Sequence, residues 1–176
     1  MKRINDYLEK EAINKILEAA KVCNDRDWLI IKVLWGGGIR ASELLAITPA
    51  DIEWKNNVVN VINGKGGKDR RIYLKTETMQ PLREYVLENN IKDDMPIFSI
   101  KRRQLYNICK KYGEIVGIKK VHPHLFRHSF AINLIRQDWD VRRLQILLGH
   151  AGIQTTAGYL RFNDKDIKEM YEKTVF

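Results

Sequence analysis

The chain has 176 residues, 44% hydrophobic and 30% charged, which suits one folded domain with a sizeable core and excludes a disordered segment. Its 31 Lys and Arg against 22 Asp and Glu leave a net charge of +9, which favours an anionic partner, and nucleic acid is the commonest of these. The stretch from Trp28 to Trp35 is broken by Lys32 and is too short to span a bilayer, and the opening MKRINDYLEK lacks the apolar run of a signal peptide. A cytoplasmic protein with no membrane partner is expected.

The elements follow in chain order. Ile13, Ile16, Leu17 and Ala20 share one face and predict a helix near 9–22. Residues 25–35, DRDWLIIKVLW, are apolar nearly all round after a charged start and predict a buried helix, stopped by the glycines at 36–38. A short helix from Arg40 to Ile47 precedes a turn with Thr48 as its cap and Pro49 at its first position. The runs NNVVNVIN and RRIYL flank GKGGKD and predict a small antiparallel sheet of two or three strands at about 52–74, with Asn56 and Asn57 turning the chain before the first run. Helical spacing returns with Leu82, Tyr85, Val86 and Asn89, and again with Leu105, Ile108, Cys109, Tyr112, Ile115 and Val116. Helices over 124–137 and 141–148 follow, and a last one near 163–173. Cys23 and Cys109 lie in or beside apolar helical patterns and read as core thiols of a reducing compartment. The fold class is mainly α with a small antiparallel β-sheet.

Four polar clusters stand out from this frame. GGGIRASELLAI carries Arg40 at a helix start and Glu43 three residues on. NGKGGKDRR puts Lys65 and Lys68 in a glycine-rich turn. HPHLFRHSFA carries His124 and Arg127 at i and i+3, on one helical face. LLGHAGIQTTAGY carries His150 and, nine residues later, Tyr159. Taken singly, each has a plain structural reading: a surface ion pair, a charged turn, a helix cap, a half-buried aromatic. Taken together they supply what attack on a phosphodiester needs. Guanidinium groups grip phosphate oxygens bidentately and stabilise charge in a pentavalent transition state. A tyrosine is a nucleophile once deprotonated, and a lysine on a mobile hairpin can protonate a leaving alkoxide. His122, His124 and His128 also have a spacing that a metal could use, although no cysteine or acidic side chain stands near in sequence.

In order, spacing and residue type these four boxes resemble the tyrosine recombinase (phage integrase) family, most closely its Xer-like members. The resemblance covers almost the whole chain and implies the catalytic-domain fold of that family. It implies that Tyr159 attacks the scissile phosphate to give a 3′-phosphotyrosyl link, and that Arg40 and Arg127 clamp the phosphate. His150 would hydrogen-bond a non-bridging oxygen, His124 would assist proton transfer at the tyrosine, and Glu43 would orient these groups without touching DNA. The family pattern favours Lys65 over Lys68 as the acid for the departing 5′-oxygen. Neither ATP, metal nor other cofactor is implied, because the phosphodiester energy is kept in the covalent bond. Double-stranded DNA and other recombinase protomers in a synaptic complex are the implied partners. The expected organisation is one catalytic domain over 1–176, with a linker-like start at 1–8 and a tail helix at 163–176. The N-terminal core-binding domain usual in the family is absent from the pattern. A type IB topoisomerase-like relaxation, or a DNA-binding module with idle catalytic residues, are the alternative functions.

Overall fold

The computed structural model describes residues 7–62 and 69–149. Lys65, Lys68, His150, Tyr159 and the tail at 163–176 therefore lie outside the described residues. Helix α1 spans Lys10–Cys23 and buries Ile13, Ile16 and Ala20 along one stripe. Asn24 then serves two helices: its backbone N–H donates to Ala20 O, and its side chain accepts from the N–H of Asp27 at 2.9 Å. Helix α2, Asp25–Gly37, buries Leu29, Ile30, Ile31, Val33 and Leu34, which occupy too much of its circumference for a surface helix. It is the central rod, packing against α1, α3, α4 and α6. Gly36 and Gly37 continue the helix, and the stop comes at Gly38, in left-handed conformation with φ 53°.

Helix α3 (Ala41–Ala46) and a 3-10 turn over Pro49–Asp51 lead into the sheet. Strands β1 (Ile52–Glu53), β2 (Val58–Val61) and β3 (Arg70–Tyr73) form an antiparallel sheet in the order β1-β2-β3. Ile52 pairs with Val59 and Val59 with Ile72, so one apolar row faces the core. Asn57, at φ 55°, makes the turn expected between β1 and β2.

Helix α4 (Thr76–Glu88) and helix α5 (Arg102–Ile115) return to the core, α5 burying Leu105, Ile108, Cys109 and Tyr112. The Tyr112 hydroxyl donates to the buried Asp27 carboxylate at 3.1 Å, so a core charge keeps a partner. Helix α6 (Pro123–Ile135) starts with Pro123 at its first position, behind His122. Helix α7 (Val141–Leu148) is capped by the Asp140 side chain at its start and by Gly149, φ 61°, at its end. It packs on α6 and β3. The mainly helical fold with a small antiparallel sheet is thus the one expected. One thiol differs from expectation: Cys109 is buried, which pushes its pKa up to about 12, whereas Cys23 is exposed. Cys23 shares the face of Ile16 two turns earlier, but it is the last residue of α1, where the chain turns away through Asn24. No helix among the described residues is long and apolar enough to cross a membrane.

Candidate active site

The site is built around the C-terminal end of α7. The last carbonyls of a helix have no partner within it and carry partial negative charge. Three guanidinium groups from three separate elements meet three consecutive carbonyls there. Arg70 of β3 donates Nη1 to Leu147 O at 3.1 Å. Arg127 of α6 donates Nη2 to Leu148 O at 2.8 Å. Arg40, the residue before α3, donates Nη2 to Gly149 O at 3.2 Å. His150 is the next residue in the chain.

Glu43 holds two of these arginines. Its Oε1 accepts from Arg40 Nη1 at 2.6 Å, and its Oε2 accepts from the Arg40 backbone N–H at 2.9 Å. The same Oε2 accepts from Arg70 Nη2 at 2.5 Å. The turn of helix between positions 40 and 43 makes this possible, since Glu43 at the third position reaches back over the helix start. Burial presses the Glu43 carboxyl towards its neutral form, but the Arg70 charge and the hydrogen bonds from Arg40 and Arg70 outweigh it and hold the pKa below the ordinary range. Arg70 is itself drawn down by burial, with the Glu43 charge opposing. The pair is closed to solvent, with side chains 5% and 6% exposed, whereas the Arg40 side chain keeps 22% exposure.

Arg127 is only 2% exposed. Its Nη1 donates to Gly38 O at 2.8 Å, so this one side chain joins the ends of α2 and α7. Gly38 is a glycine because a Cβ there would stand 2.3 Å from Phe130 Cδ1, and its positive φ disfavours other residues. His124, three residues before Arg127, is exposed rather than buried. Burial of part of its ring, then the charges of Arg127 and Arg40, lower its pKa, so it is neutral at pH 7 and able to accept a proton. His122, His124 and Tyr106 lie nearly parallel, with centroids 6.4 Å apart at each step.

Of the residues expected at the site, Arg40, Glu43 and Arg127 converge here, His124 lies within reach of the charges of Arg127 and Arg40, and Lys65, His150 and Tyr159 lie outside the described residues. The metal reading of the histidines loses a donor, because His122 Nδ1 accepts the N–H of Leu125 at 3.1 Å as the cap of α6. Among the described residues no group of three or more His, Cys, Asp or Glu is arranged to hold a metal ion. Arg70 is the residue that sequence reasoning missed. Its signal was the alternation of β3, which puts it on the face of Ile72 and not of the exposed Arg71.

The sequence pattern of the phage integrase family matches residues 6–166, a span that includes all four boxes. Tyrosine recombinase XerA of Pyrococcus furiosus is 35% identical over 182 residues, covering 98% of this chain and 63% of that protein. The crystal structure of XerA recombinase superposes with a TM-score of 0.83 at 29% identity, over 97% of this chain and 64% of that one. XerH site-specific recombinase, in a pre-cleavage complex with its difH substrate, superposes with a TM-score of 0.81 at 26% identity, over 98% of this chain and 55% of that one. The chain thus spans less than two thirds of the length of these relatives. Matched in pattern over nearly its whole length, and in fold to the Xer recombinases, the chain belongs to the phage integrase family, among its Xer-like tyrosine recombinases.

Proposed function

We propose that the chain is the catalytic domain of a site-specific DNA recombinase, which cuts and rejoins double-stranded DNA through a 3′-phosphotyrosyl intermediate. The observation that carries this reading is the convergence of Arg40 and Arg127 on the end of α7, one residue before His150, with His124 close enough to feel both charges. Arg40 and Arg127 supply positive charge and N–H donors where a phosphate gains charge in the transition state. His124, kept neutral, takes the proton of the Tyr159 hydroxyl as it attacks phosphorus. The phosphorus–O5′ bond breaks, the departing 5′-oxygen receives a proton from Lys65, and His150 donates to a non-bridging oxygen. Attack by a second 5′-hydroxyl on the phosphotyrosine reverses these steps and frees the tyrosine. Glu43 orients Arg40 and stays clear of the DNA. The net charge of +9 fits a polyanionic substrate, and a cytoplasmic location fits work on DNA. Partner protomers assemble on paired sites, and the tail at 163–176 packs against a neighbour.

The test uses a nicked DNA substrate that traps the covalent complex. The parent chain gives an adduct that survives SDS, and Tyr159→Phe gives none while still binding DNA, since one oxygen is removed and the ring stays. An adduct formed by Tyr159→Phe would show that the nucleophile is another residue. Exchange between paired sites, against relaxation of supercoils alone, separates a recombinase from a topoisomerase.

A further inference from the structure

We propose that Arg70 is a positioning residue for this reaction: it ties the Glu43 carboxylate to the end of α7 and so sets Arg40 and the backbone leading into His150 against one another. The inference rests on the function proposed above, and adds a residue to it that does not meet the DNA. Arg70 sits on the core face of β3, beside Ile72, with a side chain 5% exposed and its guanidinium paired with the Glu43 carboxylate. Its two terminal nitrogens go to different elements. Nη2 meets Glu43 Oε2, which the Arg40 N–H also uses, and Nη1 meets Leu147 O in the last turn of α7. Among the described residues the other guanidinium groups on that helix end are Arg40 and Arg127, the two assigned to the phosphate.

The shape of the surrounding chain is fitted to this side chain. A Cβ at Gly149 would lie 2.4 Å from Arg70 Cδ and 3.2 Å from its Nε, so the helix end closes directly over the arginine. Arg70 Nε has no hydrogen-bond partner among the described residues, the only buried side-chain nitrogen or oxygen there in that condition. A buried donor left unmatched is costly, so it is the two outer bonds that stabilise the arginine in this place. Lysine does not replace it, because a single ammonium lacks the planar fork that spans two acceptors on different elements. Without Arg70 the Glu43 carboxylate would face Arg40 alone and draw that guanidinium further in, while Leu147 O would lose its charged donor. Arg70 also stands at the start of β3, immediately after the hairpin that carries Lys65, so the same side chain fixes the root of that hairpin to α7.

The experiment compares the parent chain with Arg70→Met, Arg70→Lys and, as an independent route to the same displacement, Gly149→Ala. Single-turnover cleavage of the nicked substrate, DNA affinity, and amide hydrogen exchange are measured on each. Arg70→Met should cleave about 10–100-fold more slowly with DNA affinity unchanged, because a small misplacement of reacting groups costs rate and leaves phosphate binding intact. Arg70→Lys should recover part of the rate only. The Gly149 amide, which donates to Ile146 O, should exchange about tenfold faster in Arg70→Met, while amides of α2 keep their protection. Parental cleavage and parental exchange in Arg70→Met would overturn the proposal, as would an equal rise of exchange in α2, which marks a general loss of stability. If Arg70→Met does not fold, Arg70→Lys and Gly149→Ala decide the question by the same readouts. A parent chain that forms no adduct defeats the functional reading alone, and the exchange rates still report whether Arg70 holds α7.

Discussion

Replacing Gly38 with alanine should strike the fold and the site through one backbone position. The residue ends α2 at φ 53°, where an L side chain costs about 1–2 kcal/mol. Its new Cβ would lie 2.3 Å from Phe130 Cδ1 and 2.7 Å from Cε1, so the ring must leave its place. That ring packs edge-on to Trp35, centroids 6.2 Å apart at 88°, and against the apolar residues of α6 and α7. Displacing a packed ring costs a further roughly 1–3 kcal/mol, which brings the expected loss to about 2–5 kcal/mol. For a chain of this size each kcal/mol lowers the melting temperature by about 2–4 °C, so a fall of at least about 4 °C is expected. Circular dichroism during heating and in urea measures it. The steric share is isolated by repeating Gly38→Ala in a Phe130→Ala background, where the added loss should shrink. Because Gly38 O accepts from Arg127, cleavage should also slow at temperatures where the variant is fully folded. A melting point within about 1 °C of the parent would refute the reasoning.

Other predictions follow from the same geometry. Arg127→Lys should cleave about 10²–10³-fold more slowly, since an ammonium cannot hold the carbonyls of Gly38 and Leu148 together and offer a fork to a phosphate; parental rates in a single-turnover assay would contradict this. Lys65→Ala should slow cleavage of ordinary DNA and recover on a 5′-bridging phosphorothiolate, whose leaving group needs no proton; if Lys68→Ala shows that pattern instead, the acid is Lys68. Glu43 has its folded-state pKa depressed, so its contribution to stability is fully present above the unfolded carboxylate value of about 4.3 and is lost as pH falls through the folded value. The stability gap between the parent and Glu43→Gln, measured in urea, should therefore narrow below about pH 4, and a gap independent of pH would remove the ion pair from the account. DNA affinity should fall with salt at a log–log slope of about −0.9 per phosphate contacted, and a flat salt titration would mean that the charge of +9 is not used on the phosphate backbone.

Much of this was legible in the sequence because it is written in local periodicity. The stripe of α1, the all-round apolar α2, the face of α5 and the β-rich runs of β2 and β3 each follow from composition and spacing over a few residues. The pairing of Arg40 with Glu43 was legible for the same reason, since three residues on a helix start are neighbours. What the sequence hid is long-range. Arg70 looked like one more charge beside a basic turn, and nothing local says that its partner lies 27 residues back, at Glu43. Arg127 and His124 were expected on one face, yet Arg127 is buried between two helix ends while His124 stays exposed, and no local spacing distinguishes the two. Cys23 shows the limit from the other side: its angular position is that of a core residue, but the helix ends there.

Among the described residues the apolar interior is in two parts. The main cluster runs from α1 through α2, the sheet, α4 and α5 to Phe126, while Ala131, Ile135, Leu144 and Leu148 form a second, smaller one between α6 and α7, with Phe130 and Leu134 leaning on it. Burying a leucine or isoleucine is worth about 1.5–3 kcal/mol, so, counted over the described residues, the smaller cluster is a modest store beside the larger. It is nevertheless the one that seats the helix end on which the arginines meet. Warming should accordingly extinguish the chemistry before it melts the shape. A substitution at Leu144 or Leu148 would retune the working temperature of the protein without rewriting the rest of it, which gives drift and selection a dial for activity that is separate from the one for survival of the fold.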